Sequence, residues 1–204
     1  MRDAATIDIS VLAVQIMLIV VGLAGFRQVL RVPAELRANW GLQLAWPRDE
    51  GRFLTGVRRA AFSALGLPLL VILVPLHLFT LGPRIAALHF LFGALLTLTG
   101  LELATLGVRK PPFASTYASG TNLKVIVPLV APVALGVIFT LARLERLALS
   151  GGARGLAMLL AAGVLVLVGL RALDARQRER RREAGESVEW DELPGVFQRI
   201  DLNG

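Results

Sequence analysis

The chain of 204 residues contains no cysteine. Disulfides, thiolate metal sites and cysteine nucleophiles are therefore excluded, and the redox compartment is left open. Lysine is nearly as scarce, at two residues against 20 arginines, and there are two histidines and one tyrosine. Charged residues make up 18% of the chain, where a soluble domain of this length carries about a quarter. That shortfall excludes a soluble metabolic enzyme. It also excludes a free nucleic-acid-binding domain, although the formal charge is +7 and the pI about 11.3.

What is abundant is apolar surface: 55% of residues are hydrophobic and the mean hydropathy is +0.65. Five blocks are long and apolar enough to cross a hydrocarbon core about 30 Å thick: Ile9 to Phe26, Ala60 to Leu81, Ile85 to Gly107, Leu123 to Ala142 and Gly155 to Leu173. Only helices or closed barrels satisfy backbone groups in lipid, and continuous runs without strand-like alternation select helices. The expected fold is an all-α, polytopic transmembrane bundle of about five spans, residues 1–173, followed by a cytoplasmic tail, 174–204. The first block has the look of a signal peptide, with Arg2 ahead of it. Asp3 and Asp8 in the same leader, and a run longer than a signal h-region, favour a retained span.

Basic residues set the orientation. Seventeen Lys and Arg fall in Arg27 to Arg59, in Val108 to Lys124 and after Leu170, against five on the other side (Arg2, Arg84, Arg143, Arg146 and Arg154). This asymmetry places the N-terminus outside and the C-terminus in the cytoplasm of a bacterial inner membrane. Pro33 to Trp46 reads either as an interfacial helix, with Leu36, Trp40 and Leu44 on one face, or as a solvated loop packed on the bundle. The basic run Arg178 to Arg182 favours anionic lipid at the cytoplasmic leaflet.

Polar residues inside spans are costly, and so become candidates for function. They are Gln15, His77, His89 and Glu102. His77 and His89 flank the turn at Gly82 and Pro83 at matching depth, roughly 8 Å below it. Two such imidazoles suit a metal, a b-type haem or a proton relay, or simply bond to backbone. Gly93, Thr97, Gly100, Ala104 and Gly107 recur every three or four residues, as a helix-packing stripe does, with Leu101 off the stripe. Glu102 is turned to the opposite side, where it reads as the ion-pair partner of Arg109 or as a proton or substrate site. Pro68, Pro75, Pro128 and Pro132 interrupt two of the spans in the manner of transporter helices.

The loop Arg109 to Asn122 joins Arg109 and Lys110 to Ser115, Thr116, Ser119, Gly120 and Thr121. A phosphate-bearing lipid or nucleotide suits these residue types, but the glycine–lysine spacing of a P-loop is lacking, and a plain structured turn between spans accounts for the string more simply. The stretch Val32 to Trp40, the loop Lys110 to Asn122 and the tail Phe197 to Leu202 together resemble the C-terminal membrane portion of a group of uncharacterised multi-pass bacterial membrane proteins. The resemblance covers residues 25–204. Those relatives are longer, and they carry a cysteine after the Pro-Phe where this chain has Ser115. No functional residue is carried over from them.

The residues contain no catalytic constellation, imply no cofactor and include no metal set. The expected function is a non-enzymatic membrane subunit, or split half, of a permease-like assembly, with other membrane subunits or a second copy as partners and no nucleic acid. The alternatives are a membrane enzyme acting on lipid-linked substrates at the cytoplasmic face, and a haem or metal carrier using His77 and His89.

Overall fold

A computed structural model of the chain describes residues 8–30, 50–106 and 123–184. The expected interfacial segment 33–46, Gly107, Arg109, Lys110 and the end of the tail lie outside these residues. All five apolar blocks fall on helices, and there is no strand among the described residues. Helix α1 spans Ile9–Val29. Helix α2 is one continuous rod made of Glu50–Ala61, a π-helical turn Phe62–Gly66 and Leu67–Leu81. Helices α3, α4 and α5 span Pro83–Thr105, Leu123–Ser150 and Gly152–Glu183. Four of the five, α1, α2, α3 and α5, are long and apolar enough to cross a membrane. The protein is membrane-embedded on this evidence.

Local chemistry sets the ends of the helices. Asp8 caps α1, its carboxylate accepting the Ser10 amide at 2.9 Å, which satisfies one of the orphan donors of the first turn. The same bond holds the exposed Asp8 carboxyl below the usual carboxylate range. Gly82 turns the chain from α2 into α3 at φ 81°, a left-handed conformation that costs glycine least, and Pro83 then occupies the first turn of α3. Inside α2, the Leu67 amide reaches back five residues to the Phe62 carbonyl. Pro68 follows at once, and the widened turn absorbs the bond that its ring cannot make.

Packing makes α3 the central helix, in contact with α1, α2 and α5, while α4 lies against α1 and α5. The apolar core gathers Leu12 and Ile16 of α1, Leu81 of α2, Phe92 of α3, Ile138 and Ala142 of α4, and Leu156 of α5. Outward faces are as apolar as inward ones: Phe79 is 91% exposed and Ile72 76%. Helices hydrophobic all round suit a lipid surround.

The small-residue stripe meets α1 and α2. A Cβ on Gly93 would strike Gln15 and Leu70, and one on Gly100 would strike Leu23. Thr97 is buried and lies 2.7 Å from where a Cβ on Gly66 would stand. Ala104 is half-buried. Leu101, off the stripe, is nevertheless only 1% exposed, because a helix surrounded by neighbours buries more than one face.

Candidate functional site

Two polar clusters occupy opposite ends of α3. The first lies near the end that carries the α2–α3 and α4–α5 turns. His89 Nδ1 and Glu145 Oε1 are 2.6 Å apart, and both side chains are wholly inaccessible. The edge of the His77 ring meets the His89 ring, centroids 4.7 Å apart at 72°. Gln15 Nε2 donates to the His89 backbone carbonyl at 3.0 Å. One polar side chain from each of α1, α2, α3 and α4 thus converges inside the apolar interior. Gln15 Oε1, His77 Nε2, His89 Nε2 and Glu145 Oε2 have no hydrogen-bond partner among the described residues, and buried polar atoms of this kind are rare without a role.

His77 and His89, read from the sequence at matching depth on neighbouring helices, lie ring to ring. In this arrangement the rings in edge contact leave no room for a haem macrocycle between them, and His89 Nδ1 faces a carboxylate. Among the described residues, no three His, Cys, Asp or Glu side chains gather as a metal ion would require.

The second cluster forms at the other end, around Arg58 of α2, which is 8% exposed. Its guanidinium reaches Glu102 Oε2 at 2.7 Å and Asp174 Oδ2 at 2.6 Å, and its Nε donates to the Thr105 hydroxyl at 2.6 Å. Arg171 Nε donates to the other Glu102 oxygen at 2.8 Å, and Arg178 reaches Asp174 at 2.7 Å. Burying a guanidinium is costly, but here carboxylates on both sides and a hydroxyl offset the lost water. Beside this network lies a cavity of about 480 Å³ lined by Thr55, Arg58, Arg59, Phe62, Ser63, Leu98, Leu101, Glu102, Arg171 and Arg178.

Glu102 was expected to pair with Arg109 on its own helix. The structure gives it Arg58 and Arg171, on two other helices, while Arg109 and Lys110 lie outside the described residues. Sequence reasoning missed Arg58, Glu145, Arg171 and Asp174 as site residues: Arg58 and Arg171 entered only the count of cytoplasmic basic residues, and Glu145 and Asp174 were given no role. The available signal was the two acids at the margins of apolar blocks, Glu145 between Arg143 and Arg146 and Asp174 between Arg171 and Arg176. Helix α5 also passes through the expected domain boundary after residue 173 without a break, carrying Asp174 and Arg178 into the bundle.

No family model, curated protein or solved structure matches this chain.

Proposed function

We propose that the chain is a multi-pass protein of a bacterial inner membrane, with its N-terminus outside and its C-terminus in the cytoplasm. In this reading it is the non-enzymatic membrane subunit, or one half, of a permease-like assembly. One observation carries the proposal: the His77, His89, Glu145 and Gln15 cluster, four polar side chains from four helices meeting in an apolar interior with four polar atoms that have no partner among the described residues. Ionisable groups at such positions mark proton and substrate pathways in membrane proteins, and nothing about bundle stability requires them. A well-packed apolar set would hold four helices together at less cost. The basic asymmetry of the loops supports the orientation, and the resemblance to multi-pass bacterial proteins supports the host membrane.

The test is complementation of a deletion strain by the wild type, by Glu145→Gln and by His89→Gln, with the folded yield of each protein measured in parallel. Both variants are expected to reach wild-type yield and to fail in restoring growth or uptake. If Glu145→Gln complements fully at normal yield, the cluster is structural and the permease-like reading fails.

A further inference from the structure

We infer that the cavity between α2, α3 and α5 binds a phosphate group, carried either by a lipid headgroup or by a free phosphate compound. Four guanidiniums, from Arg58, Arg59, Arg171 and Arg178, stand in or against its wall. Two carboxylates face them, and the geometry shows what those carboxylates are occupied with. Glu102 is held between Arg58 and Arg171 through its two oxygens, and Asp174 is shared by Arg58 and Arg178. Two positive charges remain in excess. Arg59, one residue from the buried Arg58, has no acidic partner among the described residues.

A cavity with this surplus selects an anion, and planar guanidinium forks match phosphate oxygens in pairs. The hydroxyl of Ser63 lines the same space and adds a donor of the kind phosphate accepts, while that of Thr55 is given to the Gly51 carbonyl at 2.8 Å. The volume, about 480 Å³, falls in the range of small-ligand sites and exceeds what phosphate alone fills, so the group to which it is esterified fits as well. Ser63 lies on the π-helical turn Phe62–Gly66, an irregularity that recurs at functional sites because it re-aims side chains within a helix. The inference does not rest on the permease-like reading, since it concerns the opposite end of the bundle and different residues.

The experiment uses the full chain purified in neutral, phosphate-free detergent or placed in phosphatidylcholine nanodiscs. Thermal unfolding is followed against inorganic phosphate in the first case and against rising phosphatidic acid in the second, with potassium chloride at matched ionic strength as reference. Wild type is expected to be stabilised saturably by at least one probe. Arg59→Gln weakens that binding about tenfold, the scale of one charge-assisted hydrogen bond. Ser63→Phe, which narrows the cavity and removes no charge, weakens it to a similar degree. Both variants unfold at the wild-type temperature without ligand, and should Arg59→Gln fail to fold, Ser63→Phe alone reads the outcome. A response to inorganic phosphate assigns a free phosphate compound, and a response to phosphatidic acid alone assigns a headgroup. Saturation by neither probe, or equal saturation of wild type and variants, overturns the site.

Discussion

Arg58 shows what a single buried cation does to the residues around it. It holds Glu102, Asp174 and Thr105 at 2.6 to 2.7 Å, and its removal leaves two carboxylates with one partner each in a closed setting. Arg58→Met is expected to destabilise the fold by about 3 kcal/mol or more, the scale for breaking a buried ion pair. Arg171→Gln touches the same Glu102 from a side chain that is 58% exposed, and should cost about 1 kcal/mol or less. Equilibrium unfolding in mixed micelles compares the two directly, and equal losses would show that Arg58 is solvated. At Gly100 and Leu101 the structure sets two comparable costs. Gly100→Leu drives a side chain into Leu23 and Leu101→Ala opens a hole at a 1% exposed position. Each is expected to cost about 2 kcal/mol, the first by overpacking and the second through its cavity. The periodicity of small residues revealed one contact face of α3 but had no means of revealing the other, since leucine reads alike against lipid and against protein.

Among the elements, the α2–α3 turn and the C-terminal part of α1 make a matched pair of glycine tests. Neither Gly82 nor Gly25 has an atom within 4 Å of an added Cβ, so backbone conformation alone decides the outcome. Gly82→Ala forces φ 81° on an L-residue and should cost about 1 kcal/mol or more. Gly25→Ala sits in the regular helix α1 and should stabilise by up to about 1 kcal/mol. Thermal unfolding of both variants checks the sign. The start of α1 also carries a pH dependence. The Asp8 carboxyl is lowered by its bond to the Ser10 amide, so the cap contributes fully above the ordinary carboxylate range and is lost as pH falls through the lowered value. Amide exchange at Ser10 and Val11 should quicken on acidification, and should be insensitive to pH in Asp8→Asn beyond the intrinsic rate. Helix existence was legible in the sequence because each apolar run is long and bounded by glycine, proline or charge. The extents were not: α2 begins ten residues before the block predicted from Ala60, and α5 ends ten residues after Leu173, since charged residues paired across helices do not end a helix as they end a hydropathy run.

The whole molecule presents apolar helices with a polar cluster toward each end of α3. On the proposed orientation, reporter fusions at residue 4 should give an external signal, and those at residues 50, 115 and 195 a cytoplasmic one. A cytoplasmic signal at residue 4 with the others unchanged would remove one crossing. The membrane class could be read from composition alone. The sites could be read only in half, because a histidine inside a span announces itself whereas Arg58 and Asp174 acquire meaning only when α2 and α5 stand on either side of α3. Chain order adds a consequence for biosynthesis. Each buried acid follows a basic or imidazole partner in the sequence: Glu102 comes after Arg58, Glu145 after His89, and Asp174 after Arg58. A polypeptide emerging from its N-terminus therefore never has to shelter one of these carboxylates in lipid before a counterpart has been made. Were α2 synthesised last, Glu102 and Asp174 would instead reach the membrane ahead of Arg58.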